Sequence, residues 1–433
     1  MSFSAESAPY LSARRATTSL VSRKWAVRFT AHFLGSSVGR VDTGANGSAA
    51  KEAAKGGVAE ATDELIALSH RVHAHPELCF EEEQASTWAA EVLTRHGFTV
   101  EAGVANLPTA FTATVGSGPL TIAICAEYDA LPGIGHACGH NVICAAGVGA
   151  GLALAPLADD LGITVKVMGT PAEEGGGGKI LMLERGVFDG VHAAMMVHPA
   201  PMEMDTFPCL AVSHVDVHYT GKEAHASAFP ELGINAADAI TVAQVGVGLL
   251  RQHIRSTDRI HGIVTHGGDA PNVVPGHTSG TFLVRSKTLA ELAELEPKVH
   301  RCFQAGALAT GCTVDVEHMS PRYSEMRDDA DMRAIYRRNA EELGRTFPDM
   351  NGAAGRIAGS TDMANISLAI PTIHPMLGLG SFPISNHQPE FTAFCATEAA
   401  DKAVVDGATA MAWTCIDLAG EGAVRDRLLS GLR

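Results

Sequence analysis

Aromatic residues and positive charge are scarce in this 433-residue sequence. Phe, Trp and Tyr make up only 5% of it, so the core has to be built largely from small aliphatic side chains. Lys and Arg number 32 against 48 Asp and Glu, and the net charge of −16 argues against a nucleic acid or an anionic membrane as partner. With 46% hydrophobic and 18% charged residues, the composition is typical of a globular protein. The length of 433 residues predicts two or three domains.

The sequence also lacks the marks of a disulfide framework and of a membrane segment. Nine cysteines, an odd number scattered along a long chain, favour reduced thiols and a cytoplasmic location. The one long uncharged run, residues 142–158, is rich in Gly and Ala, contains Pro156 and is short for a membrane span. We therefore predict a buried helix there.

The N-terminal residues differ in composition from the rest of the chain. Residues 1–41 contain one acid, Glu6, but six Arg or Lys and many Ser, Thr and Ala, which resembles an organelle transit peptide. A disordered extension and a wrongly chosen start codon are the alternatives, and no apolar secretory core is present. Residues 42–56 are predicted to be a linker, so residues 1–56 as a whole are expected to precede the folded domains.

The remaining sequence predicts an α/β domain interrupted by a smaller α+β domain. Nearly continuous apolar runs predict strands that helices cover on both faces, and helical stretches alternate with them. These runs are residues 111–115, 120–125, 163–168 and 193–197. From residue 210 the pattern becomes βαββαβ, which is typical of a two-layer domain. We expect a discontinuous catalytic domain at 57–209 and 320–433, with the smaller domain inserted at 210–319.

Residues with metal-binding chemistry follow the predicted strands. Residues 126–141 (AEYDALPGIGHACGHN) come directly after the strand at 120–125, where open α/β sheets bind their ligands. Cys138 and His140 can both turn toward one cation, and a thiolate with an imidazole suits zinc and similar first-row ions. Alone, this pair would be a weak signal.

Three further groups of residues strengthen the signal. Glu173 and Glu174 follow the strand at 163–168, and adjacent carboxylates diverge in an extended chain, so one can bind metal while the other faces water. His198 follows the strand at 193–197, and His387 lies on a loop before the closing helix, which is predicted at residues 392–418. Together these donors are enough for two metals that share a bridging ligand.

Several motifs resemble the aminoacylase/carboxypeptidase family of dinuclear metallopeptidases, which includes the plant auxin-conjugate amidohydrolases. They are HAHPEL at 73–78, EYDALP at 127–132, HACGH at 136–140 and PAEEG at 171–175. GIGHACGHN at 133–141 and GSTDM at 359–363 are most similar to the p-aminobenzoyl-glutamate hydrolases and the β-alanyl-lysine-type dipeptidases. The resemblance covers about residues 60–418. It implies a zinc-peptidase-like catalytic domain with an inserted dimerisation or lid domain.

The resemblance also implies roles for the residues of the site. The metal ligands would be Cys138, His140, Glu174, His198 and His387. Glu173 would be the general base and acid, and Asp129 would orient His140. Two positions depart from the family pattern, Asn141 for a frequent Asp and Ala364 for the usual Gly. Neither removes a ligand.

The inserted domain matches the family in two further motifs, TGKEAHA at 220–226 and GGDAPNVVP at 267–275. The resemblance implies that a homodimer forms through residues 210–319 and that His225 reaches the partner subunit's site, where it stabilises the oxyanion. Asn272 and Arg285 would contact the substrate, with Arg285 gripping a carboxylate. The alternative for Arg285 is an exposed cation on a strand. Ser360 is the third predicted substrate contact.

Together, these expectations predict an enzyme that hydrolyses the amide bond between an acyl or aminoacyl group and an amino acid. One or two zinc, manganese or cobalt ions would activate the water, and the substrate would be a dipeptide or an N-acyl amino acid. A metal-binding relative without activity, acting as a scaffold, is the alternative, and the intact Glu173 argues against it. A cysteine hydrolase using Cys138 and His140 is disfavoured, because residues two apart rarely place a thiolate and its base in line.

Overall fold

The computed structural model describes residues 46–349, 358–420 and 422–431. The helices are α1 (Asn46–Ala74), α2 (Glu83–Arg95), α3 (His140–Leu154), α4 (Gly178–Glu184), α5 (Ala236–Leu250), α6 (Leu289–Thr310), α7 (Ala330–Glu342), α8 (Met363–Ala369), α9 (Pro389–Phe394), α10 (Glu398–Ala419) and α11 (Ala423–Leu429). The strands are β1 (Thr99–Ala102), β2 (Phe111–Val115), β3 (Leu120–Ala126), β4 (Ile163–Gly169), β5 (Ala193–Met195), β6 (His198–Ala200), β7 (Ala211–Thr220), β8 (Arg259–His266), β9 (His277–Ser286), β10 (Thr313–His318), β11 (Thr372–Ile373) and β12 (Met376–Gly378).

The larger sheet has the strand order β1-β2-β4-β3-β5-β11. β4, β3, β5 and β11 run parallel, and β1 and β2 are antiparallel additions at one edge. Ala126, the last residue of β3, pairs with Gly169, the last residue of β4. The loops that carry the EYDALP and PAEEG motifs therefore start side by side, which brings their side chains to one edge of the sheet.

Helix α3 lies at the centre of the core and packs against both α1 and α10. Every residue of α3 is buried, as predicted for the uncharged run at 142–158. By length and composition the stretch His140–Leu157 could cross a membrane, but 83% of it is buried within the fold, so it is a core helix. Its small residues allow this packing: a Cβ at Gly151 would lie 2.5 Å from Cγ2 of Val167.

The second sheet has the order β10-β7-β9-β8 with all neighbours antiparallel. Along the chain its elements follow as β7, α5, β8, β9, α6 and β10, which is the predicted βαββαβ order. Helices α5 and α6 share a hydrophobic cluster with this sheet, separate from the cluster under the larger sheet. The predicted fold class is confirmed. The exact bounds 57–209, 210–319 and 320–433 stay predictions.

Part of the N-terminal prediction is wrong. Residues 46–56, expected to be linker, form the first turns of α1. The run AAKEAAK has high helix propensity, and Ala54 is fully buried in the core. Nζ of Lys51 bonds Asn339 and Asp417, both at 2.8 Å. The predicted extension at residues 1–45 lies outside the described residues.

The closing helix predicted at 392–418 is interrupted. The chain forms α9 and α10 with a break at 395–397. The carbonyl oxygen of Cys395 accepts a hydrogen bond from Nδ2 of Asn141 at 2.8 Å, instead of the backbone N–H that it would accept in a continuous helix. Through this hydrogen bond, the segment that follows the His387 loop contacts the start of α3, where the predicted ligand His140 lies.

Candidate metal centre

The predicted metal ligands lie at the starts of elements and on the loops between them. His140 is the first residue of α3, and His198 is the first residue of β6. Gly139, between Cys138 and His140, has φ 81, and a Cβ on it would lie 2.4 Å from Cγ of Pro199. Only glycine therefore lets the chain turn there, so that both neighbouring donors point to the same side.

Distances between donor atoms show that these residues converge. Sγ of Cys138 lies 3.4 Å from Nε2 of His198, and Nε2 of His387 lies 3.4 Å from Oε1 of Glu174. Nε2 of His140 lies 3.8 Å from that same Glu174 oxygen. Three overlapping groups have all their donor atoms within 4.8 Å: Cys138, His140 and His198; Cys138, Glu174 and His387; His140, Glu173 and Glu174. Groups that share members suit two neighbouring cations.

The donor set fits a divalent cation. Nε2 of His140 is completely buried and has no hydrogen-bond partner among the described residues. A buried polar atom left without a partner is costly, and a cation among the neighbouring donors would supply the missing contact. The mixture of thiolate, imidazole and carboxylate is one that binds first-row metals. We call these five predicted ligands together with Glu173 the metal cluster.

Asp129 holds His140 in position. Its Oδ1 lies 3.0 Å from Nδ1 of His140, and its Oδ2 accepts the backbone N–H of Glu174 at 2.9 Å. Burial acts to raise the pKa of Asp129, but His140, the Glu174 N–H and Lys179 outweigh it and lower the pKa to about 2. An ionised Asp129 fixes the ring so that Nε2 faces the other donors. This is the geometry that the predicted orienting role needs.

Glu173 and Glu174 have opposite electrostatic environments. Burial, and then the charges of Glu127, Glu174 and Asp362, raise the pKa of Glu173 well above its usual range. Burial also acts to raise the pKa of Glu174, but His387 and His140 outweigh it, so the pKa is lowered. Two adjacent carboxyl groups with separated pKa values can divide proton transfer and cation binding between them.

A buried ionic cluster beneath the site was not anticipated. Nζ of Lys179 lies 2.5 Å from Oε1 of Glu127 and 2.6 Å from Oδ1 of Asp362, and all three side chains are fully buried. Oε2 of Glu127 lies 3.5 Å from Nε2 of His140. The sequence offered a signal, since Lys179 directly follows the glycine run of PAEEGGGG and Asp362 belongs to GSTDM. The lysine supplies positive charge among the carboxylates.

Two other buried residues beside the site were missed. Both ring nitrogens of His374 lack a hydrogen-bond partner among the described residues, and its ring centroid lies 5.3 Å from that of His198. Burial and the neighbouring His198 lower the pKa of His374 well below its usual range. Glu82 accepts the N–H groups of Phe80 at 2.9 Å and Ala172 at 2.8 Å, and so joins the HAHPEL segment to the loop of Glu173.

The predicted substrate residues fall into two groups. Arg285 and Ser360 line a cleft of about 660 Å³ that also contains the side chains of Glu173 and His387. Arg285 is half-buried, and its Nε has no hydrogen-bond partner within the described ranges. Ser360 already donates its hydroxyl to the carbonyl of Leu210 at 2.8 Å.

His225 and Asn272 are not brought to the metal cluster within one chain. Both are exposed, neither lines the cleft, and they lie close together, because the carbonyl of Asn272 accepts the N–H of Ala226 at 3.0 Å. Nδ1 of His225 accepts the backbone N–H of Ala228 at 3.2 Å.

A mostly parallel sheet with thiolate, imidazole and carboxylate donors at its carboxyl edge is the arrangement of an α/β protein with a candidate metal site. The family model for "Peptidase family M20/M25/M40" matches residues 123–412. The chain belongs to this peptidase family, and the resemblance recognised in its motifs is confirmed.

Relatives and a solved structure agree with this assignment. The chain is 37% identical over 393 residues to "Xaa-Arg dipeptidase" of Mus musculus, covering 86% of this chain and 89% of the relative. It is 35% identical over 269 residues to one of the subunits of the p-aminobenzoyl-glutamate hydrolase of Escherichia coli strain K12, covering 57% and 56%. A Bacillus subtilis protein described as a dinuclear metal binding peptidase from the M20 family has the same fold, with a TM-score of 0.60, 21% identity and coverage of 82% and 98%. The protein is thus a metallo-peptidase or amidohydrolase, and nothing favours an inactive scaffold.

Proposed function

We propose that the protein hydrolyses the amide bond that joins an aminoacyl or acyl group to an amino acid, in a dipeptide or an N-acyl amino acid. The observation that carries this proposal is the convergence of the metal cluster at the edge of a cleft that also contains Arg285. The names of the relatives, a dipeptidase and a hydrolase of p-aminobenzoyl-glutamate, support it.

We propose Cys138, His140, Glu174, His198 and His387 as the ligands of two divalent cations. Zinc, manganese and cobalt are the candidates, because imidazole and thiolate donors suit such ions better than magnesium or calcium. When bound, the cations would polarise the substrate carbonyl and lower the pKa of water from 15.7 toward about 7. A metal-loaded structure should show each of these donors at about 2.0–2.3 Å from a cation.

Glu173 is the proposed general base and acid. Its carboxylate lies at the cleft, 4.0 Å from Nε2 of His140, and its backbone carbonyl accepts the hydroxyl of Tyr323 at 2.6 Å. The raised pKa favours holding a proton, so Glu173 can take one from the attacking water and pass it to the departing nitrogen. Asp129 keeps His140 oriented throughout.

Arg285 and Ser360 are the proposed substrate contacts of the same chain. Arg285 lines the cleft, its Nε has no hydrogen-bond partner among the described residues, and its guanidinium can bind the α-carboxylate of the C-terminal residue. Ser360 donates its hydrogen to Leu210, so its oxygen is left to accept a hydrogen bond from the substrate. We propose Asn272 as a contact from the partner subunit, since it lies beside His225.

We propose that the protein is a homodimer through residues 210–319. Val242, Val245 and Leu249 are exposed at i, i+3 and i+7 on α5, which places them on one face of the helix. Ile263 and Val264 are exposed on β8, which is an edge strand of the described four-stranded sheet. A self-complementary contact would cover both features and carry His225 toward the partner's cleft.

We propose a cytoplasmic location, with organelle targeting by residues 1–41 left as the alternative. All nine cysteines lie in the described ranges and are free thiols. Cys138 can bind a metal only as a reduced thiolate, which agrees with a reducing compartment.

A hydrolysis screen tests the proposed function. Metal-depleted protein would be assayed against dipeptides, N-acyl amino acids and p-aminobenzoyl-glutamate, with zinc, manganese or cobalt added back singly. We expect metal-dependent amide hydrolysis that His140→Ala abolishes and that His96→Ala, at an exposed histidine outside the metal cluster, retains. Activity that survives chelation, or hydrolysis of none of these amides with any metal, would overturn the proposal.

A further inference from the structure

The cleft beside the metal cluster has an apolar wall. Its side chains are Met202, Met204, Phe207, Met376 and Phe382. We infer that this wall receives the side chain of the C-terminal residue, so that the enzyme selects dipeptides ending in an aliphatic, thioether or aromatic residue over those ending in Arg or Lys. The inference rests on the proposed function and specifies its substrate class.

Met202 and Met204 supply two of the five side chains of this wall. Met204 is fixed by the bond from the N–H of Met376 to its carbonyl at 2.8 Å. Glu203 lies between them in the sequence. Its buried carboxylate accepts Nη2 of Arg345 and the N–H of Gly378, both at 2.9 Å. The carboxylate between the two methionines is therefore already paired.

Phe207 forms a fixed part of the wall. A Cβ on Gly359 would lie 2.5 Å from Cζ of Phe207, so the missing side chain at Gly359 lets the ring lie directly on the GSTDM segment. The ring centroid of Phe207 is also 6.1 Å from that of His374. Phe382, at the rim, is 71% exposed, and an apolar substrate side chain would remove part of that surface from water.

Among the described residues of this chain, the cleft offers a cationic side chain no carboxylate outside the metal cluster. Of the described residues that line it, the acids are Glu173 and Glu174, and both belong to the metal cluster. Asp205, next to the wall, is paired with Nη1 of Arg337 at 3.1 Å. Arg285 adds positive charge to the same cleft. Since burying an unpaired cation is costly, Arg or Lys is disfavoured here.

The charges of this cleft differ from what the names of the mammalian relatives would require. Those relatives are described as Xaa-Arg dipeptidases, whereas the described cleft of this chain offers thioether and aromatic surface and one unpaired guanidinium. A guanidinium in the cleft attracts the carboxylate of every dipeptide equally and repels a second cation. The discrimination therefore comes from the side chain, which the apolar wall contacts.

A dipeptide series tests the selectivity. The probes are Ala-Leu, Ala-Met, Ala-Phe, Ala-Arg and Ala-Lys, and the readout is kcat/KM of the metal-loaded enzyme. We expect values for the apolar residues to exceed those for Arg and Lys by roughly tenfold or more. Equal or higher values for Arg or Lys would overturn the inference while leaving amide hydrolysis established. Hydrolysis of none of these or any other amide would overturn the proposed function itself.

A matched pair of variants tests whether the wall is the cause. Met202 is half-buried and takes no part in the bridge to Met376, so Met202→Glu and Met202→Gln should both fold, which thermal melting and metal content would verify. Because the two differ only in charge, the Glu variant should raise the Ala-Arg to Ala-Leu ratio of kcat/KM by roughly tenfold over the Gln variant. The same ratio in both variants would show that the wall does not contact this side chain.

Discussion

Two adjacent carboxyl groups, Glu173 and Glu174, show how the environment of a single residue assigns its chemistry. Glu174 lies within 3.4 Å of His387 and 3.8 Å of His140, which favour its ionised form. Glu173 is buried and faces the negative charges of Glu127 and Asp362, and burial first, then these charges, favour its protonated form. The neighbours thus prepare one residue to bind a cation and the other to hold a proton.

Glu173→Gln should keep its metal and lose activity. The amide preserves shape but cannot take or return a proton, so we expect kcat to fall by about 10²–10⁴-fold or more. Metal content by elemental analysis should stay at the wild-type value, whereas Glu174→Gln, the control, should lose metal. A loss of tenfold or less in kcat would refute the role of Glu173.

Glu82 offers a test of buried charge through pH. Burial, and then the charge of Asp129, raise the pKa of Glu82 to about 7. An unfolded chain has a Glu pKa near 4.3, so the folded state binds this proton more tightly. The associated stability is complete below about pH 4 and is lost as the pH rises through about 7.

Glu82→Gln cannot ionise and can still accept the N–H groups of Phe80 and Ala172 through its amide oxygen. We therefore expect the Tm of the variant minus the Tm of the wild type to increase from pH 5 to pH 8. Thermal melts of metal-free protein would show this, since a bound cation would change the charge nearby. Glu91→Gln, at an exposed position of α2, is the control. A Tm difference that stays constant with pH would contradict the assignment.

Helices and strands differ in how far their sequence predicts them. β3 and β4 could be placed from apolar runs, and since parallel strands end at one edge, the donors after them could be expected to meet. The start of α1 at Asn46 had a local signal in the helix propensity of AAKEAAK, but the contacts that hold these turns, such as Lys51 with Asp417, are distant in sequence. The break between α9 and α10 likewise coincides with a tertiary contact, the hydrogen bond from Asn141 to the carbonyl of Cys395.

The residues of the site likewise divide into those that local motifs predict and those that only the fold brings together. Motifs pointed to the metal cluster, while the burial of Lys179 between Glu127 and Asp362 depends on three separate segments meeting. His374 belongs to no metal-binding pattern, and only the packing of β11 beside β5 brings it next to His198. Contacts between residues far apart in sequence leave no local periodicity, so sequence analysis could not find them.

The exposed face of α5 is the proposed contact between subunits. Val245 is 59% exposed at the centre of that face, and Val245→Glu would place an unpaired charge in an apolar interface. We expect the variant to be monomeric in sedimentation velocity while its circular dichroism is unchanged. Gln244→Glu adds the same charge one residue away and should remain dimeric. A monomeric wild type, or a dimeric Val245→Glu, would show that α5 is not the interface.

Two truncations separate the N-terminal extension from the folded body. Residues 1–45 lack the apolar periodicity needed to pack on a core, so their removal should leave a folded, active enzyme. Removal of residues 1–56 would also delete Lys51, whose carbonyl accepts Nε1 of Trp413 at 2.7 Å, and the buried Ala54. This longer truncation should lower Tm clearly. Equal Tm values for both, or loss of activity in the shorter one, would contradict the boundary.

In the assembled molecule, we expect His225 to act in the cleft of the partner subunit. This residue is exposed on the inserted domain, and its Nδ1 accepts the N–H of Ala228 at 3.2 Å. Its Nε2 is therefore left with a hydrogen to donate, as an oxyanion contact requires. Since His225 does not line its own cleft, a two-fold dimer would have each subunit donate it to the other.

Mixing two inactive variants tests this exchange. In a heterodimer of His225→Ala and Glu173→Gln subunits, the cleft with an intact Glu173 belongs to the His225→Ala chain and receives the intact His225 of its partner. The opposite cleft carries both lesions. Activity should therefore return to one of the two sites in each heterodimer, whereas a mixture of two differently tagged Glu173→Gln preparations should stay inactive. If mass measurement verifies subunit exchange and no activity returns, His225 does not act across the dimer.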